Sequence, residues 1–123
     1  MMTQVLIVEK DAIVASDLSN WLTAGGFEPR IAATSQAALD DLKDHKISIL
    51  IFSEYPGFDA AKDVQRAAQA AEVRTIVLGT HDNSSSRIAA LSFGADCYLG
   101  KPFSPREVLA RTRALSRPFA YPT

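Results

Sequence analysis

The chain has 123 residues, 47% of them apolar, which is enough for one domain with its own core and too little for two comfortable ones. A net charge of −1 supplies no field that would draw the chain to nucleic acid or to an anionic membrane, so direct DNA binding is disfavoured. Cys97 is the only cysteine, which excludes an internal disulfide and suits a reducing cytoplasm; no charged-then-apolar leader opens the chain, and its apolar runs are strand-sized rather than membrane-spanning.

Val5 to Val8 is a continuous apolar run of strand length, the pattern of a parallel strand buried on both faces. Charge follows at once in Glu9, Lys10 and Asp11. A helix is predicted from Ala12, with Val14, Leu18, Trp21 and Leu22 on one face and Gly25-Gly26 at its end. Pro29 to Ala33 gives a short second strand, and Ser35 is placed to cap a helix that turns Ala38, Leu39 and Leu42 inward. Ile47 to Phe52 is the clearest strand. Tyr55-Pro56-Gly57 then turns the chain into an alanine-rich helix marked by Ala60, Ala61, Val64, Ala67, Ala68 and Ala71.

A fourth strand is predicted at Thr75 to Leu78. The polar run Asp82 to Ser86 is a loop or helix start, and Ile88 and Leu91 mark a short fourth helix that Gly94 stops. Cys97 to Leu99 is the fifth strand. Lys101-Pro102 ends it, since Pro102 has no N–H for a ladder and holds Lys101 extended. Ser104 is the N-cap of the last helix, Pro105 its first residue, and Glu107 stands where a capping box needs it; Val108, Leu109, Thr112 and Leu115 form the inner face. Strands alternating with helices over short connections predict an α/β fold, a doubly wound, mostly parallel five-stranded sheet with helices on both faces. Residues 1–117 read as the domain and 118–123 as a tail or the start of a linker.

The run GAD-x-Y-L-x-KPF-x-P-x-E, from Gly94 to Glu107, resembles the last strand and helix of the receiver domain of two-component response regulators, the CheY-like fold, particularly those that precede winged-helix transcription-factor domains. The resemblance spans nearly the whole chain. It implies the strand order 2-1-3-4-5 and a cis bond between Lys101 and Pro102, which for an X–Pro bond costs only about 0.5–1 kcal/mol over trans. It also implies a phosphoryl-transfer site at the carboxyl edge of the sheet. There an aspartate after the third strand accepts the phosphoryl group, acidic residues after the first hold Mg²⁺, a hydroxyl after the fourth and an aromatic on the fifth form a switch, and Lys101 neutralises phosphoryl charge.

Carried over position by position, the resemblance keeps the lysine and the aromatic but departs at one metal ligand, the acceptor and the switch hydroxyl. The acidic pair falls on Glu9 and Lys10, with Asp11 beside them; Lys10 either repels the metal where a ligand should stand or points to solvent, and either way a carboxylate is missing. The acceptor position falls on Ser53, and the loop from it to Pro56 is one residue shorter than the family spacing. Glu54 is the nearest carboxylate: it either enters the site and mimics the charge of an acyl phosphate or, as the default reading, stands solvent-exposed in the loop. The switch hydroxyl falls on Gly79, with Thr80 as a shifted substitute or an ordinary loop residue or cap; Tyr98 matches the aromatic partner or is simple packing. Lys101 is then expected to pair with Glu9, Asp11 or Glu54. These losses within an intact apolar framework read as a degenerate receiver, with no catalytic residue and doubtful Mg²⁺ binding.

The leading expectation is therefore a phosphorylation-independent, non-enzymatic interaction module with a protein partner or a second copy of itself, and no nucleic-acid or membrane contact of its own. The resemblance places a two-fold interface on the fourth helix, fifth strand and fifth helix, where Arg87, Asp96, Arg106, Arg111 and Arg113 offer charges, each of which alone also fits a solvated face. The alternative keeps phosphotransfer, with Glu54 or Ser53 as acceptor and Glu9 and Asp11 on Mg²⁺. A third reading, a flavodoxin-like ligand binder, has no residue in its favour, since neither a dinucleotide fingerprint nor a P-loop is present. His45 and His81 lack companions at metal-ligand spacing, and Cys97 reads as a small buried apolar residue.

Overall fold

The computed structural model describes residues 2–54, 61–80 and 84–117. Five parallel strands, β1 (Gln4–Val8), β2 (Glu28–Ala32), β3 (Ile49–Ser53), β4 (Arg74–Gly79) and β5 (Cys97–Gly100), alternate with helices α1 (Ala12–Ala24), α2 (Ser35–Asp44), α3 (Ala61–Ala70), α4 (Ser84–Ser92) and α5 (Pro105–Ser116). The sheet order is β2-β1-β3-β4-β5, as expected.

Side chains alternate between sheet faces along each strand, and the two cores follow from that period. Val5 and Ile7 of β1, Ile49 and Ile51 of β3, Ile76 and Leu78 of β4 and Leu99 of β5 face one way, where Leu18 and Leu22 of α1 and Val108 and Leu109 of α5 cover them. Leu6, Val8, Leu50 and Phe52 face the other way, under Ala38 of α2 and Val64 and Ala68 of α3. A smaller cluster of Val77, Ala90, Ala95 and Tyr98 lies under α4. The edge strand β2, with exposed Glu28 and Ile31 and a proline inside it, carries the weakest apolar signal because only one of its sides is paired.

Local chemistry fixes the helix ends. Gly25 caps α1 and Gly26 follows at φ 92°, a conformation that side-chain-bearing residues avoid. Thr34 rather than Ser35 caps α2, its hydroxyl accepting from the Ala37 N–H at 3.1 Å; Ser35 already has helical geometry and its Oγ is buried without a partner. Ser104 caps α5 by accepting from the Glu107 N–H at 3.1 Å, with Pro105 at the first helical position. Ile88 and Leu91 do not pack inward: they are 62% and 44% exposed, and Ala90 is the buried residue of α4. The helix lies over strands near the sheet edge, where Tyr98 already fills the space, so a methyl is what fits beneath it. The turn at Tyr55-Pro56-Gly57, Ala60, His81, Asp82, Asn83 and the tail 118–123 lie outside the described residues.

Candidate functional site

Parallel register brings the carboxyl ends of four strands to one edge: Val8 is paired with Phe52, Ser53 with Leu78, and Gly79 with Gly100. Glu9, Ser53, Glu54, Gly79, Tyr98 and Lys101 are all carried there. The Glu9 N–H donates to the Ala32 carbonyl at 3.1 Å, extending the β1–β2 ladder by one residue and turning the glutamate into the edge. Its side chain is only 4% exposed. Burial raises its pKa above the ordinary carboxyl value; the Ser53 hydroxyl and the Lys10 N–H, both donating to it, and the Lys101 charge pull the other way, and Asp11 adds to the rise. Oε2 of this carboxylate has no hydrogen-bond partner.

Of the residues around Glu9, Asp11 and Lys101 are used differently from the expectation, and Lys10 follows the second of its two readings. Lys10 points to solvent. Asp11 caps α1, its Oδ1 accepting from the N–H groups of Ile13 at 2.9 Å and Val14 at 3.3 Å, which commits the carboxylate to the helix start. Lys101 follows β5 through a cis bond to Pro102 and is exposed. It does not form the expected ion pair: among the described residues the pairs are Arg30–Asp41 at 3.5 Å and His45–Asp41 at 4.0 Å, and Lys101 acts on Glu9 only through its charge. A pair made by an exposed, flexible lysine gains little against its lost side-chain entropy.

Glu54 is not the exposed loop glutamate expected. Its N–H continues the β3–β4 ladder to the Leu78 carbonyl at 2.9 Å, and its half-buried carboxylate accepts a hydrogen bond from Tyr98. Burial raises its pKa, against the lowering effect of that bond. Tyr98 is 3% exposed and lies over Gly79, where a Cβ would overlap its hydroxyl and stand 2.7 Å from its Cε2. Thr80 is half-buried just beyond the strand end. The sequence carried a signal for this arrangement, a glycine ending one strand beside an aromatic on the next, which switch-hydroxyl bookkeeping alone does not reveal.

The donor set does not fit a magnesium ion. Among the described residues no three carboxylate, His or Cys side chains are grouped to hold a metal. Glu9 offers one buried oxygen, Ser53 offers a neutral hydroxyl already donating to Glu9, Asp11 has one of its oxygens held at the helix cap, and a hard divalent cation needs several oxygens together.

The outer faces hold the other candidates. Arg87 stacks on Tyr98, its guanidinium carbon 5.6 Å from the ring centre, and its Nη1 reaches the Tyr98 carbonyl at 3.5 Å. Arg106 lies 5.8 Å from the Trp21 ring centre. Arg111 and Arg113 are exposed on α5. Asp96 has a structural task, since its Oδ2 accepts from the Thr75 N–H at 2.8 Å. Cys97 is half-buried rather than buried, packed against the larger core, and burial raises its thiol pKa. His45 caps α2 beside Asp41. Beside the site an apolar groove of about 490 Å³ runs between α1 and the start of α5, lined by Ile13, Leu18, Pro102 and Phe103, with Ile13 81% exposed.

A doubly wound sheet in this order, with a buried acidic residue after β1 and a lysine-proline pair after β5, defines a receiver-type signalling fold. Residues 5–113 match the family described as response regulator receiver domain, and the chain belongs to it. It is similar to the transcriptional regulatory protein GltR of Pseudomonas aeruginosa, 32% identical over 117 residues that cover 92% of this chain and 48% of that one. The sensory transduction protein RegX3 of Mycobacterium tuberculosis is 32% identical over 94% of this chain and 52% of its own. The chain thus spans about half the length of these curated relatives. Among solved structures, a putative response regulator from Chloroflexus aurantiacus superposes with a TM-score of 0.82 at 31% identity, over 95% of this chain and all of that one. The receiver domain of the Francisella response regulator 1452 gives 0.83 at 23% identity, over 92% and 95% of the two chains. No helix among the described residues is long and apolar enough to cross a membrane.

Proposed function

We propose that this two-component receiver domain works as a protein-binding module without a phosphorylation cycle of its own, a degenerate member of its family and not an enzyme. One observation carries the reading: at the acceptor position stands Ser53, whose hydroxyl is spent on the buried Glu9 carboxylate. A serine cannot form the acyl phosphate that an aspartate forms, and a buried carboxylate turned against it repels an incoming phosphoryl group. Glu54, the alternative acceptor, is engaged by Tyr98, which weighs against that route. The sparse grouping of hard oxygen ligands among the described residues supports the same reading, since phosphoryl transfer needs a metal to neutralise the phosphoryl oxygens.

The module's partner is a protein of a cytoplasmic signalling pathway or a second copy of the chain. For a second copy, the face of α4, β5 and α5 offers the exposed Ile88 and Leu91 of α4 and the exposed Arg111 and Arg113 of α5, a mixture of apolar and basic surface suited to a two-fold pair, while Arg106 is turned to Trp21. Since the relatives run to about twice this length and one is a transcriptional regulator, the module's output would pass to a DNA-binding segment, of the winged-helix kind, rather than to DNA directly.

The test is intact mass after incubation with Mg²⁺ and a small acyl-phosphate donor, with light scattering after size exclusion on the same samples. The proposal expects no gain of phosphoryl mass and an association state indifferent to the donor. A phosphoryl gain lost on Ser53→Ala or Glu54→Gln overturns it.

A further inference from the structure

We propose that Gly79, Tyr98 and Glu54 form a latch that holds the α4–β5 face in one conformation, whatever charge occupies the carboxyl edge of the sheet. The inference goes beyond the phosphorylation-independent reading and shares with it only the Tyr98–Glu54 bond.

The seat of Tyr98 exists because position 79 has no side chain. Gly79 ends β4 and is paired with Gly100 at the end of β5, and the Tyr98 ring lies across it so closely that a Cβ there would overlap the hydroxyl and Cζ. The ring is closed in by Val77, Ala90 and Ala95, and the Arg87 guanidinium covers it from α4. The hydroxyl, which would be costly to bury alone, donates to the Glu54 carboxylate. The backbone beneath is held as well, through the Tyr98 carbonyl and Arg87.

Shape, aromatic packing and a charge-assisted hydrogen bond therefore favour the same rotamer, from three different elements. For Tyr98 to swing out, the space above Gly79 would have to empty, Glu54 would lose its donor, and Arg87 would lose the ring it stacks on. No side chain at 79 competes for the seat. Arg87 on α4 is thereby tied to a fixed position on β5, and the surface around Ile88 and Leu91 is presented in one arrangement.

The experiment is fluorine NMR on the chain labelled with 3-fluorotyrosine, which reports Tyr55, Tyr98 and Tyr121 separately, with Tyr98 assigned by its loss in Tyr98→Phe and exposure read from broadening by a soluble paramagnetic agent. In the parent the Tyr98 signal is expected to be broadened several-fold less than a solvent-exposed fluorotyrosine standard. Gly79→Ala is expected to bring it to the broadening of the standard, Glu54→Ala to shift it part of the way, and Glu54→Gln, which keeps an acceptor, to leave it near the parent. A Tyr98 signal already exposed in the parent overturns the latch, with no variant needed, and so does one that stays buried in folded Gly79→Ala. Adding Mg²⁺ and an acyl-phosphate donor separates the two proposals. A phosphoryl gain with Tyr98 unmoved overturns the phosphorylation-independent function and supports the latch, whereas a Tyr98 signal that becomes exposed on adding the donor overturns the latch.

Discussion

Ser53 and Glu9, carried by the neighbouring strands β3 and β1, are joined by a hydrogen bond from the serine hydroxyl to a carboxylate whose other oxygen is buried without a partner. Burial outweighs that bond and the Lys101 charge, so the Glu9 pKa stands above the ordinary 4.5 in the folded chain. Between that value and the raised one the folded state holds a proton that the unfolded state has released, so stability from this group is full below the unfolded value and falls as pH rises through the folded one. Glu9→Gln removes the buried charge. Its melting temperature is expected to exceed the parent's at neutral pH and to converge with it in acid, leaving a residual slope from Glu54, which is raised in the same direction. Thermal melts across pH check this, and a variant less stable than the parent at neutral pH would refute it.

Ser53→Asp restores the acceptor type and sets a second carboxylate against Glu9. Two like charges about 4 Å apart repel by roughly 4 kcal/mol at an effective dielectric near 20, a ceiling that protonation of Glu9 lowers. The variant is expected to melt below the parent at neutral pH and to regain part of the loss with Mg²⁺, because a divalent cation can bridge the new carboxylate and the orphaned Glu9 oxygen. The parent's melting temperature should not respond to Mg²⁺. Calorimetry with and without the metal separates these outcomes, and a parent stabilised as strongly as the variant would show that the existing donors suffice.

The strands and their order were legible because β1, β3 and β4 are buried on both faces and write themselves as unbroken apolar runs, and because the Gly94-to-Glu107 stretch resembles one family closely. β2 was harder to bound, being half exposed and interrupted by Pro29. At the site, residue types were readable but not their commitments. Asp11 stands in an acidic cluster in the sequence, yet two free N–H groups in the first turn of α1 claim its oxygen. Glu54 looks like a loop glutamate until the β4–β5 register brings Tyr98 to it across Gly79. Such pairings depend on long-range packing that no local spacing encodes. Ile88 and Leu91 marked α4 correctly, but their spacing says nothing of which way that face turns, and both are exposed.

Asp11→Ala should cost about 1 kcal/mol, the usual loss of an N-cap, by leaving the Ile13 and Val14 N–H groups to water. Asp11→Asn keeps an acceptor oxygen in the same place and is expected to stay near the parent. Urea unfolding of both variants tests whether the oxygen or the charge matters. A loss in Asn equal to that in Ala would return Asp11 to an electrostatic role in the site.

Asp96 was a candidate for a charged interface, and its geometry gives it a different task. Its Oδ2 accepts from the Thr75 N–H at 2.8 Å while its own N–H donates to the Thr75 carbonyl at 2.8 Å, so one residue clasps the entries of β4 and β5. Thr75 is buried, and an unpaired N–H there costs about 1–3 kcal/mol. Asp96→Ala is expected to lower the melting temperature by several degrees, while Asp96→Asn retains an acceptor and most of the stability. Self-association decides the remaining question. If Asp96 acts only as a clasp, light scattering on the well-folded Asp96→Asn chain matches the parent at every concentration; a weakened assembly in that variant, with its fold intact, would place the Asp96 charge in the interface after all.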